Sequence, residues 1–286
     1  MRAPCLLLAT LLACSLAACG GGDGLDEQRR GDLVYARGGE GAGRVTVIRP
    51  AAAHGPLPVV LFLHGWGATE PRFYGPWLEH LARAGNAVVY PRYQESFAEP
   101  PAQVLGNALV GVRTALEHSD VDPDSLVVAG HSAGGGLAAD YAAVARRVGL
   151  PPARAVLSIY PGRAFRGIRA AIPGAGPVPA GTELVVLTGA DDRVVDPRDA
   201  RTIYATAATA QRSLATIDEP GASDHIGPQR STPVARRVFW QRLDALITRA
   251  RAPARRRAAS RRSLRPRRRA TPAGPRAGGG RRTGAA

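Results

Sequence analysis

The chain has 286 residues, 45% of them hydrophobic and 21% charged, a balance that supports a folded core and excludes disorder throughout. All 38 basic residues are arginine, so chemistry that needs a lysine amine, from a phosphate loop to a Schiff base, is excluded. The net charge of +15 is concentrated in residues 251–286, which hold thirteen arginines and no acid, so the rest of the chain is near neutral.

In chain order, residues 1–18 predict a secretory leader: a positive charge at Arg2, then an apolar run from Cys5 to Ala18. That run is shorter than the roughly 20 residues of a spanning helix. It closes on Leu16-Ala17-Ala18-Cys19-Gly20, which resembles the bacterial lipobox, where the leader is cut before the cysteine and the thiol is lipidated. Lipidation of Cys19 implies an exported protein anchored to the membrane and facing outside the cytoplasm. An ordinary signal peptide with small residues at its cut is the alternative, and it too exports the chain. Residues 19–30, opening on GGGDG, are expected to be a flexible tether. Cys5, Cys14 and Cys19 are the only cysteines, so no disulfide scaffold, Cys-ligated metal or Cys nucleophile is expected in the body.

Residues 31–250 alternate short β-rich runs with helical stretches, which predicts an α/β fold with a mostly parallel sheet flanked by helices. The strand candidates are Arg44 to Arg49, Val59 to Leu63, Ala87 to Tyr90, Leu126 to Ala129, Ala155 to Ile159, Leu184 to Leu187 and Leu214 to Ile217. Most are continuous apolar runs, as expected of strands covered on both faces. Helices are predicted over Phe73 to Ala84, Ala102 to His118, Ala133 to Val148, Asp199 to Ala210 and Pro233 to Arg249. In the last, Val234, Val238, Leu243 and Leu246 form an apolar stripe to lie on the sheet. The Gly/Pro-rich segment Arg163 to Gly181 is the only room for a lid and is too short for a helical cap domain, so the site is expected to be open.

Three motifs stand at strand ends. Leu63-His64-Gly65-Trp66-Gly67 follows an early strand, and Thr188-Gly189-Ala190-Asp191-Asp192-Arg193-Val194-Val195 follows a late one. Between them, Gly130-His131-Ser132-Ala133-Gly134 joins a strand to a helix and fits G-x-S-x-G. A serine on such a turn needs a strained backbone, and glycines two residues to either side let strand and helix approach. A Gly-rich turn opening a helix is the bland alternative; a phosphate loop fails for want of its lysine.

Together the motifs resemble the α/β-hydrolase superfamily over about residues 31–250, most nearly its small capless members similar to dienelactone hydrolases and bacterial esterases. The resemblance implies a Ser, Asp, His triad in that chain order. Five of the six histidines precede the late strand, which leaves His225 as base to the nucleophile Ser132. The family pattern G-x-x-D-x-V-V maps onto Gly189, Asp192, Val194 and Val195 and selects Asp192 as the acid, with Asp191 as the alternative or as a carboxylate making local loop hydrogen bonds. It also implies an oxyanion hole from the backbone N–H groups of Trp66 and Ala133, within a nucleophile elbow that includes Gly130, His131 and Gly134. The implied activity is carboxylic-ester hydrolysis through an acyl-enzyme, on small-molecule or polymeric esters, with no metal and no cofactor. A peptidase or thioesterase with the same triad, or a non-catalytic envelope-binding lipoprotein on the same scaffold, are the competing readings.

Residues 251–286 are built from Arg, Ala, Pro and Gly and hold no aromatic residue. This composition cannot bury enough surface to order itself, so the tail is expected to be disordered. Its guanidinium groups suit contact with anionic surfaces beside the anchor rather than specific nucleic-acid recognition. A read-through or shifted frame would give the same composition.

Overall fold

Val59, Leu61 and Leu63 face one side of strand β4 (Leu57–Leu63), while Val60 and Phe62 face the other, and all five are buried. A strand apolar on both sides needs a helix layer on each, and the chain supplies them. The computed structural model describes residues 24–168 and 170–251. Within it, nine strands form one sheet: β1 (Asp26–Arg30), β2 (Leu33–Gly38), β3 (Val45–Pro50), β4, β5 (Ala87–Pro91), β6 (Val121–His131), β7 (Ala155–Ile159), β8 (Glu183–Gly189) and β9 (Arg212–Ile217). Their order is β1-β2-β3-β5-β4-β6-β7-β8-β9. The pairings from β1 to β5 are antiparallel, and those from β5 through β4 to β9 are parallel.

Helices α2 (Val104–Glu117), α3 (Ala133–Val144) and α4 (Pro197–Thr206) cover one face. Helix α1 (Gly75–Arg83) and the C-terminal helical segment cover the other. That segment runs from α5 (Pro233–Ala235) through a π-helical stretch, Arg236–Trp240, into α6 (Gln241–Arg251). Val238 and Leu243 are five residues apart, and the π-helical i→i+5 geometry brings both onto the sheet-facing side, where they are buried.

The sequence expectation needs correction at several points, among them the helix predicted over Asp199 to Ala210, which runs Pro197–Thr206. Two further strands, β1 and β2, precede the seven predicted ones. The tether expected over 19–30 does not extend through residues 26–30, which pair antiparallel with β2 from Asp26↔Arg37 to Arg30↔Leu33. Arg251, assigned to the tail, ends α6 and donates a 2.6 Å hydrogen bond to Asn86. The helix predicted to Val148 gives way at Ala145 to a 3-10 turn, closed by Gly149 at φ 72°. The leader, Cys19 and residues 252–286 lie outside the described residues.

The long connection 163–181 has no regular structure among its described residues, yet it is fixed to the helix layer. Asp140, fully buried on α3, receives both Nη atoms of Arg163 at 2.8 and 2.9 Å and the Ala175 N–H at 2.8 Å. The Arg163 N–H donates to Asp199 of α4 at 2.8 Å. Removing one partner of a buried pair leaves the other charge uncompensated. Asp140→Ala is therefore expected to lower stability by about 3 kcal/mol in urea unfolding, whereas Asp124→Ala, which breaks the exposed pair with Arg154, should leave the midpoint unchanged.

Candidate active site

The C-terminal ends of the parallel strands meet along one edge. Leu63 at the end of β4 is in register with Gly130, and His131 at the end of β6 with Ile159. The loops after β4, β6, β7 and β8 therefore open onto one place, where open α/β sheets hold their sites.

Ser132 sits between β6 and α3 at φ 60°, ψ −121°, a conformation L residues rarely adopt, at a cost on the order of 1–3 kcal/mol. The flanking glycines are there for clearance. A Cβ on Gly130 would collide with the Gly134 carbonyl, and one on Gly134 with the carbonyls of Leu63 and His64. The backbone at the turn is held by hydrogen bonds from Ser132 N–H to Ile159 O at 2.9 Å and from Gly134 N–H to His64 O at 2.9 Å.

His225 Nε2 lies 3.0 Å from Ser132 Oγ, and its Nδ1 lies 2.8 Å from Asp192 Oδ2. A carboxylate only accepts, so Nδ1 carries the proton and Nε2 is left free to accept from the serine hydroxyl. The second Asp192 oxygen accepts the N–H groups of Val194 and Val195 at 2.8 and 3.2 Å. Burial raises the pKa of this carboxyl, but the hydrogen bonds from His225, Val194 and Val195 and the charge of His225 outweigh it and hold it below the usual value.

The paired aspartates take different parts. Asp191 turns away and accepts the Ser223 hydroxyl at 2.6 Å, bracing the loop that carries His225. It is the local-loop carboxylate, and Asp192 is the partner of the imidazole. Asp196 caps α4 by accepting the Arg198 N–H.

Gly65 N–H donates to Tyr74 and Gly67 N–H to Gln94. No hydrogen bond among the described residues engages the N–H of Trp66 or of Ala133, the first residue of α3, where the helix dipole also favours negative charge. The two loops touch: a Cβ on Gly65 would lie 3.3 Å from Ser132 Cβ. His64 is buried between Tyr90 and Tyr93, its ring nitrogens 2.7 Å from Gly65 O and 2.6 Å from Arg92 O. Burial lowers its pKa to about 4. It clamps the loop from below.

Over these groups lies a cleft of about 620 Å³. Trp66 forms its wall, edge-on to Phe97 and stacked at 6.2 Å on Phe165, and its indole N–H donates to Phe97 O at 3.0 Å. Phe97, Val194 and Ile226 at the mouth are 55%, 54% and 52% exposed, so the cleft is open and its rim apolar. Arg166 and Arg193 add positive charge to the lining. Phe165 and Arg166 enter the lining from the segment 163–181, and Phe97 from the loop after β5. That loop carries no motif that would mark it in the sequence.

A family model described as the alpha/beta hydrolase fold matches residues 60–218. Comparison with curated proteins gives no match. Among solved structures, an esterase from Rhizomucor miehei is 17% identical, covering 77% of this chain and 83% of its own, with a TM-score of 0.61. A thermostable esterase from Pseudomonas putida ECU1011 is 18% identical, covering 80% and 85%, with a TM-score of 0.59. A dienelactone hydrolase candidate from Klebsiella pneumoniae is 18% identical, covering 76% and 98%, with a TM-score of 0.56. These likenesses are of fold. The family match extends over more than half of the sequence and takes in the strand, turn and helix around Ser132, and the chain belongs to the alpha/beta hydrolase fold family.

Proposed function

We propose that the protein is a serine hydrolase that cleaves carboxylic esters through an acyl-enzyme. The observation that carries this reading is the chain Asp192–His225–Ser132, with contacts of 2.8 and 3.0 Å, beside two backbone amides that no other group among the described residues engages. Ser132 Oγ attacks the ester carbonyl as its proton passes to His225 Nε2. The charge on the carbonyl oxygen is received by the N–H groups of Trp66 and Ala133. The tetrahedral intermediate collapses, His225 returns the proton to the leaving alkoxide, and the alcohol departs. Water then repeats the sequence against the acyl-enzyme, with His225 again as base, and releases the acid. Asp192, held ionised, fixes the imidazole tautomer and offsets its charge when protonated.

The apolar rim and the open mouth of the cleft support esters of short to medium acyl groups, as small molecules or as groups on a polymer. A series of p-nitrophenyl esters from acetate to palmitate, beside peptide and thioester substrates, tests this. Turnover is expected on the shorter esters; preference for peptide or thioester would move the assignment within the family. Ser132→Ala is expected to reduce kcat by on the order of 10⁴- to 10⁶-fold, and an unchanged rate would remove Ser132 as nucleophile.

The two aspartates give a second test. Asp192→Asn should lower kcat by about 10⁴-fold, because an amide presents the wrong partner to the imidazole. Asp191→Asn keeps an acceptor for the Ser223 hydroxyl and should cost far less. Steady-state kinetics on both variants decides the ranking.

The location of the enzyme is proposed from the sequence alone. Residues 1–18 act as the leader, Cys19 carries acyl chains, and the arginine-rich tail lies against anionic surfaces. In cells fed a labelled fatty acid, label is expected on the wild type and absent from Cys19→Ser. Label retained by that variant would sink the anchor.

A further inference from the structure

We propose that Tyr74 and His131 form a buried positioning link that ties the Gly65–Trp66 loop to the His225 loop across the nucleophile turn. The inference rests on the catalytic reading above and concerns two side chains to which that reading gives no task.

The polarity of the link follows from its ends. The His225 backbone carbonyl lies 2.8 Å from His131 Nε2, and a carbonyl only accepts, so Nε2 carries a proton. Burial, with the neighbouring His225 adding to it, lowers the His131 pKa to about 3, and the neutral ring has a lone pair at Nδ1. The Tyr74 hydroxyl, 2.8 Å away, donates to that lone pair. Its oxygen in turn accepts the Gly65 N–H at 3.0 Å. Each hydrogen bond dictates the direction of the next, so the tautomer of His131 is set by the two loops it joins.

The link has little slack. Tyr74 and His131 are each 1% exposed. A Cβ on Gly65 would stand 3.3 Å from Tyr74 Oη, His131 Nδ1 and Ser132 Cβ alike. The Tyr74 ring packs on Phe62 at 4.9 Å and near Tyr90 at 6.4 Å, which aims the hydroxyl from the apolar core. What the link connects is the peptide before one oxyanion donor and the backbone of the base. Catalytic groups need placement to within about 0.5 Å, and Gly65 N–H, Tyr74 Oη, His131 and His225 O form one continuous run between these two loops. The rings of His131 and His225 are 4.8 Å apart. A proton on His131 would oppose the imidazolium that His225 forms in each step, and donation from Tyr74 into Nδ1 favours the neutral ring.

Tyr74→Phe tests the link, since it preserves the ring packing and removes only the hydroxyl. In full-length protein whose near-ultraviolet circular dichroism matches wild type, kcat for a p-nitrophenyl ester is expected to fall roughly 10- to 100-fold, with KM within about threefold. A side chain that merely fills the core would not split the two parameters in this way. His131→Gln can donate to the His225 carbonyl and accept from Tyr74, and is expected to keep at least tenfold more kcat than His131→Leu. The double variant Tyr74→Phe/His131→Leu should be no worse than the poorer single, because the two act through one connection. A folded Tyr74→Phe with kcat within twofold of wild type would overturn the proposal, and so would equal kcat for His131→Gln and His131→Leu, which decides the matter even if Tyr74→Phe does not fold. Ser132→Ala in the same assay separates the failures. If it is inactive while Tyr74→Phe is unaffected, the link alone is wrong; if Ser132→Ala retains activity, the catalytic reading is wrong with it.

Discussion

The structure depends on one close approach of backbone to backbone at the turn that carries Ser132. Gly130 meets the carbonyl of Gly134 across the turn, and Gly134 meets the carbonyls at the end of β4, so β6, α3 and β4 touch without side chains between them. The positive φ at Ser132 is costly, and it persists because the surroundings leave the residue no alternative. Ser132 N–H is held by Ile159 O, and Ser132 O accepts the N–H groups of Gly135, Gly136 and Gly162. The sheet on one side and a helix with no exposed residue on the other keep the turn from relaxing. The serine hydroxyl stands at the sheet edge as a consequence of packing, before any chemistry is considered.

From that fixed point the remaining groups are placed by the ends of neighbouring strands. Register alone brings the loops after β4 and β8 beside the turn, since both strands lie within two places of β6 in the sheet. The histidine comes from farther along the chain, and its loop is secured several times over. Ser223 O accepts the N–H of Asp191, the Ser223 hydroxyl donates to the Asp191 carboxylate, and the Tyr160 hydroxyl donates to Ala222 O at 2.7 Å. A Cβ on Gly189 would collide with the Ser223 carbonyl, so the aspartate and histidine loops also meet backbone to backbone. The same device, glycine used for approach, serves at both contacts.

Much of this was legible in the sequence because it depends on residue types at fixed spacing. The glycines around Ser132, the apolar runs of β4, β6 and β7 and the single histidine after the late strand are local signals, and the structure brings Ser132, His225 and Asp192 together. What escaped was of two kinds. Strand β1 is exposed along its whole length and reads DEQRR; it exists because β2 offers an edge to pair with, which composition cannot reveal. The cleft wall at Phe97 and the partner of His131 at Tyr74 depend on contacts 31 and 57 residues distant in sequence, where no local pattern points from one to the other. The family pattern could select Asp192 over Asp191, but only the turn geometry explains it: the N–H groups of Val194 and Val195 fold back onto Asp192, which leaves its other oxygen facing His225.

The histidines show how far environment, rather than residue type, assigns the work. His80 lies at the surface, 3.0 Å from Asp244 and about 40% exposed, where the pair joins two helices and little more. His64 is enclosed by two tyrosine rings with a carbonyl at each nitrogen, so it has no free atom to offer a reactant. His131 is as deeply buried, but one of its nitrogens faces a hydroxyl, which lets it transmit the position of one loop to another. His225 alone among these has a carboxylate at one nitrogen and a hydroxyl at the other, with an open cleft above. A base must be able to gain and lose a proton during turnover, and desolvation lowers the pKa of both buried rings. Burial thus withdraws two imidazoles from acid–base work and makes them framework, while the third stands between a carboxylate and a hydroxyl beneath an open cleft.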